Sequence, residues 1–143
     1  MKYAFTHGKL LAANEGISVP GGHMAGSVAV AAHSIPEALA QLDAAEAQGV
    51  DLIKLMITGG VMDAKEKGLP GEMKMPPEMI KAVCDRAHAA GYRVAAHVES
   101  PQGVRAALEN GVDTADSMRA RGYGLPGRTF AFRYGRKSAD WIL

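Results

Sequence analysis

The chain has 143 residues, 48% of them hydrophobic, a single cysteine and a formal net charge of +1. That is the composition of one soluble globular domain with enough apolar material for a core. Near-neutral charge argues against a nucleic-acid binder. No apolar stretch approaches the roughly 20 residues that cross a bilayer. The first residues, Met-Lys-Tyr-Ala-Phe-Thr-His, are too short and polar for a signal peptide, which points to the cytoplasm.

Taken in chain order, Leu10-Leu-Ala-Ala-Asn14 reads as a first strand leading into Ile17-Ser-Val-Pro-Gly-Gly-His23, a turn-rich loop. Ser34-Ile-Pro-Glu37 has the capping-box pattern, and Ile35, Leu39, Leu42 and Ala45 recur at helical spacing up to Gly49, which predicts a helix over about 35 to 48. The run Val50 to Ile57 follows as a strand. Pro76 and Pro77 start a second helix with Met79, Ile80, Val83, Cys84 and Ala87 on one face and Gly91 at its end. Cys84, without a partner for a disulfide and set among apolar neighbours, reads as a buried, inert thiol. Tyr92 to Val98 is the next strand. A shorter helix from about Pro101 to Gly111 and a weaker strand, Val112 to Ala115, complete the pattern.

Strands alternating with helices over short connections imply parallel pairing and an α/β domain. Within the strands, Ile53, Leu55 and Ile57 oppose Leu52, Lys54 and Met56, and Val94, Ala96 and Val98 oppose Ala95 and His97. The apolar β-branched faces should pack on helices, so Lys54 and His97 should face a barrel interior or an open sheet face. Ligands in α/β folds gather at the carboxyl ends of strands, where His97 and Thr58-Gly59-Gly60 fall. Two glycines lack the spacing of a phosphate-binding loop.

Lys54 stands inside an apolar run. A buried lysine is used as a nucleophile of lowered pKa, held in an ion pair, or converted chemically to an anion. A histidine on the neighbouring strand favours a metal site, since neutral imidazole is a common ligand of divalent ions. The purely structural alternative is that Lys54 reaches a carboxylate and His97 bonds to the backbone.

From Asp116 onward the chain changes character. Arg119, Arg121, Arg128, Arg133, Arg136 and Lys137 face two acids there, and glycines and aromatics replace regular periodicity. The division is therefore a domain over residues 1–115 and a basic, Gly/aromatic-rich tail over 116–143, read as loop or disorder.

The stretches Gly49-Val-Asp-Leu-Ile-Lys-Leu-Met-Ile-Thr-Gly-Gly-Val61, Met79 to His97 and Gly103 to Thr114 resemble the middle of the metal-dependent amidohydrolase superfamily. The likeness is to its imidazolonepropionase-like and prolidase-like branch, and Lys9 to His23 resembles the same branch one strand earlier. Coverage is about residues 8 to 114. The resemblance implies a partial (β/α)8 TIM barrel, about strands three to six of eight. It also implies one or two divalent ions, usually zinc, and hydrolysis of amide or related C–N bonds of small molecules.

By the same resemblance, Lys54 matches a lysine often carboxylated by carbon dioxide to bridge two metals, and His97 matches a metal ligand. His23, Thr58, Gly59 and Gly60 would line the substrate side. The first-strand His-x-His pair and the late-strand aspartate of the family have no counterpart, so no residue is assigned to catalysis. Ser117 stands where a histidine ligand is expected.

The chain is thus expected to be an internal piece of a barrel, inactive alone, whose exposed edges favour self-association or a complementary barrel fragment. A lost reading frame would account for the tail. The alternative is a non-catalytic, self-associating module that binds a metal or ligand.

Overall fold

A computed structural model describes residues 11–60, 62–64 and 71–115 and the backbone of 61, 116 and 129–131. Among these residues, six short strands form one sheet in the order β2-β1-β3-β4-β5-β6. They are β1 (Gly16–Ser18), β2 (Ala29–Ala31), β3 (Ile53–Met56), β4 (Val94–His97), β5 (Thr114–Asp116) and β6 (Thr129–Ala131). The first five pair in parallel, and β6 pairs antiparallel to β5. Three helices, α1 (Ile35–Ala47), α2 (Pro77–Ala89) and α3 (Pro101–Glu109), connect the parallel strands β2–β3, β3–β4 and β4–β5.

Local signals account for where the helices begin and end. The Ser34 hydroxyl accepts the Glu37 amide at 3.3 Å, and the Glu37 carboxylate accepts the amide of His33 rather than that of Ser34, so the capping box closes one residue earlier than its pattern predicts. Ser100 caps α3 by accepting from the Gly103 amide at 3.1 Å. Each helix stops at a glycine in the left-handed region, Gly49, Gly91 and Gly111.

The core lies between the sheet and the helices. Ile53, Leu55 and Ile57 of the β3 run and Val94, Ala96 and Val98 of the β4 run are all buried, packed with Leu42 of α1 and Ile80, Val83 and Cys84 of α2. Arg86 on α2 ties the two helices at the surface by donating to Asp43 and Glu46 of α1. At the N-terminal ends of the strands, the Asp113 carboxylate accepts the Val94 amide at 2.7 Å and contacts His88 at 2.8 Å, joining α2 and β4 to the start of β5.

The early chain departs from expectation. Residues 11–14 form no strand; Leu11 is about half exposed and Asn14 has a φ of 58°. The first strand is instead Gly16–Ser18, inside the segment read partly as loop, and Ala29–Ala31 adds an edge strand that periodicity does not signal. The segment 116–143 lies outside the described residues apart from Asp116 and β6, an antiparallel strand in a stretch read from sequence as loop or disorder.

Candidate active site

Register decides which side chains share the face opposite the helices. Lys54 is level with Ala95, Met56 with His97, and Ile17 with Leu55. Alternation then puts Gly16, Ser18, Lys54, Met56, Ala95 and His97 on one face. Lys54 and His97 do share that face, on adjacent strands. They are not at the same height: Met56 stands beside His97, and Lys54 lies one side-chain layer further toward the N-terminal ends.

Three chain segments converge where these strands end. After β1 the chain turns through Val19 to Gly22, and the buried Ser18 hydroxyl donates to the His23 carbonyl at 3.0 Å, which fixes the loop against its own strand. After β3 the chain passes through Thr58, Gly59 and Gly60 into a 3-10 turn, Val61–Asp63. It returns as residues 71–75, where the Lys74 and Met75 amides both donate to the Ile57 carbonyl and the Gly59 amide donates to the Glu72 carbonyl. After β4 come Val98 and Glu99, and the Glu99 amide donates to the Thr58 hydroxyl at 2.9 Å in the interior.

These segments assemble four ionisable side chains. The His23 and His97 rings stack, with centroids 4.1 Å apart and planes 12° from parallel. His23 Nδ1 lies 2.6 Å from Asp63 Oδ2, the same oxygen that accepts the Gly60 amide at 3.1 Å. Glu99 Oε1 is 3.2 Å from His97 Nε2, a charge contact outside aligned hydrogen-bond geometry, and the Glu99 side chain is fully buried with neither oxygen hydrogen-bonded.

The electrostatics of the two acids are opposite. Burial pushes the Glu99 carboxyl above its ordinary 4.5, nearby His23 pulls it down and Asp63 pushes it up. Burial raises Asp63 as well, but the His23 and Gly60 hydrogen bonds and the charges of His23 and His97 together bring it below 3.8. Glu99 therefore favours its protonated form more than Asp63 does.

Close approach explains two glycines. A Cβ on Gly60 would run into the His23 ring, and one on Gly71, whose φ is 95°, would stand 2.6 Å from the Glu99 carbonyl oxygen.

Of the residues singled out from sequence, His23, Thr58, Gly60 and His97 meet at this point, Gly59 holds the returning segment, and Lys54 lies deeper on the same face. Asp63 and Glu99 were not foreseen. Alternation from His97 could have flagged Glu99; Asp63, 40 residues from His23, carries no local signal.

Among the described residues, no group of three or more His, Cys, Asp or Glu side chains is arranged to hold a metal ion. His97 and Glu99 have suitable donor chemistry, yet they do not close a site by themselves.

Solved structures of similar fold include two prolidase-like proteins. A Xaa-Pro dipeptidase with methionine bound in its active site is 27% identical with a TM-score of 0.63, over 78% of this chain and 30% of its own. A protein from Bifidobacterium longum assigned as a prolidase is 39% identical with a TM-score of 0.57, over 70% of this chain and 23% of its own. The chain is similar to one segment of the barrel in these prolidase-like structures. The ochratoxinase of A. niger shares the fold, with a TM-score of 0.66 at 19% identity over 73% of this chain and 30% of its own. The chain spans less than a third of the length of these structures. No protein-family model matches it, and no curated protein matches it significantly.

Proposed function

We propose that this chain contributes part of the active-site mouth of a metal-dependent hydrolase acting on amide or peptide-like C–N bonds of small molecules, and that it does not turn substrate over alone. The observation that carries this reading is the placement of His97, on one sheet face with Lys54 and stacked on His23, at the C-terminal strand ends of a barrel segment that resembles a Xaa-Pro dipeptidase. Parallel α/β barrels and open α/β sheets bind their ligands at that end.

In this reading Lys54, as its carbon dioxide adduct, and His97 serve as ligands of a divalent ion, zinc by preference. His23 and the Thr58-Gly59-Gly60 turn form the substrate side. A bound divalent ion supplies an acidified water and polarises the scissile carbonyl. The remaining ligands come from a second copy or a complementary barrel piece, so association accompanies activity, in the cytoplasm.

The incomplete set of ligands among the described residues favours a second reading, a self-associating module that binds metal or ligand without chemistry. Elemental analysis of protein purified with zinc and bicarbonate, combined with a hydrolysis screen of dipeptides and acylated amino acids, separates the two. Near-stoichiometric zinc and turnover, both abolished in His97→Ala, support the hydrolase. Zinc without turnover supports the module. No zinc in either protein removes the metal assignment.

A further inference from the structure

Asp63 is a group that neither the metal reading nor the sequence uses, and its geometry is specific. Its Oδ2 receives two contacts, His23 Nδ1 at 2.6 Å and the Gly60 amide at 3.1 Å, so the carboxylate is held by its own turn while it holds the ring. A carboxylate can only accept, which requires the proton on Nδ1. The ring's position is fixed from two further sides: it lies flat on His97, and it occupies the space that a side chain at residue 60 would need. Its backbone is anchored by the Ser18 hydroxyl. The Nε2 atom stands at the other end of the ring from the Asp63 contact.

We propose that Asp63 is a positioning residue that, when the His23 ring is neutral, fixes it as the Nδ1–H tautomer, leaving the Nε2 lone pair as an acceptor on a ring stacked against His97. The molecule suited to that acceptor presents an N–H or O–H donor, as a peptide-like substrate or its attacking water does. No bond is made or broken in this assignment; one proton resides on Nδ1 and one lone pair is exposed at Nε2. It deepens the site reading above, but its test does not depend on metal or turnover. The logic is that of other aspartate-oriented histidines, in which the hydrogen bond made by one nitrogen decides what the second can do.

The test is a long-range proton–nitrogen spectrum of the full chain, labelled with nitrogen-15 histidine, at mildly alkaline pH without added metal. His23 is assigned by the signal that disappears in His23→Gln. The expected wild-type pattern is a protonated Nδ1 and an unprotonated Nε2. In Asp63→Ala the population should move toward the Nε2–H form that unrestrained imidazole prefers. If that variant fails to fold by circular dichroism, Asp63→Asn serves, since its amide can also donate and should weaken the preference. An Nε2–H tautomer in the wild type, or a pattern unchanged in a folded Asp63 variant, overturns the proposal, whatever the zinc content or hydrolysis screen returns.

Discussion

The His23 and His97 rings stack 4.1 Å apart although His23 follows β1 and His97 ends β4, and these strands are not neighbours. Strand β3 lies between them, so the pair bridges over its end, and the chain leaving β3 has to pass without bulk. Gly60 lies against the His23 ring on that exit path.

Gly60→Ala should therefore displace the His23 ring. Forcing a methyl into an occupied space of this kind costs about 1–3 kcal/mol, and the ring stack, worth about 0.5–1.5 kcal/mol beyond its buried area, is lost with it. Urea unfolding should show a lower midpoint, and the His23 and His97 ring protons should lose their mutual upfield shifts. Unchanged ring shifts would disprove the contact.

Thr58→Val keeps the shape of a fully buried side chain but removes the oxygen that accepts the Glu99 amide at 2.9 Å. A buried donor left without a partner costs about 1–3 kcal/mol. The urea midpoint should fall while the slope stays constant. Exchange of the Glu99 amide should speed up, whereas amides of α1 should change only with global stability.

Asp63 gives a pH dependence with a definite sign. Its carboxyl titrates below 3.8 in the folded chain, with burial opposed and outweighed by its hydrogen bonds to His23 and Gly60. The unfolded chain then binds the proton first as pH falls, so this stabilisation is present above 3.8 and is lost as pH drops through the folded value. The side chain is about a quarter exposed, which limits the effect to about 1 kcal/mol or less. Comparing acid unfolding of wild type and Asp63→Asn should show the loss in the wild type and a flatter profile in the variant.

Cys84 should be silent in the folded state. Burial pushes its thiol up to about 12, with Asp113 and Asp85 adding to the shift. Thiolate is the reactive form, so a disulfide reagent at neutral pH should titrate almost nothing until urea unfolds the chain, and one equivalent afterwards. Rapid labelling without denaturant would contradict the burial.

The helices were legible because their ends carry chemistry: the Ser34 capping pattern before α1, paired prolines at the start of α2, and glycines at each stop. β3 and β4 were legible as apolar runs bounded by those stops. β1 and β2 were not, because Gly-Ile-Ser and Ala-Val-Ala owe their strand state to pairing with each other and with β3 rather than to β propensity. The more apolar Leu10–Asn14 run attracted the assignment instead. At the site, alternation placed Lys54 and His97 on one face, but only register revealed the layer between them. The Asp63–His23 contact depends on two loops meeting and could not be read from either alone.

The register of β3 and β4 also constrains how such a scaffold can evolve. Because side chains alternate faces, one residue inserted into Val94–His97 would turn His97 toward the helices and bring Val98 to the site face. Point substitutions within the strands preserve that parity; changes in length do not. Insertions and deletions are therefore tolerable mainly in the connections between strands and helices, not within β3 or β4.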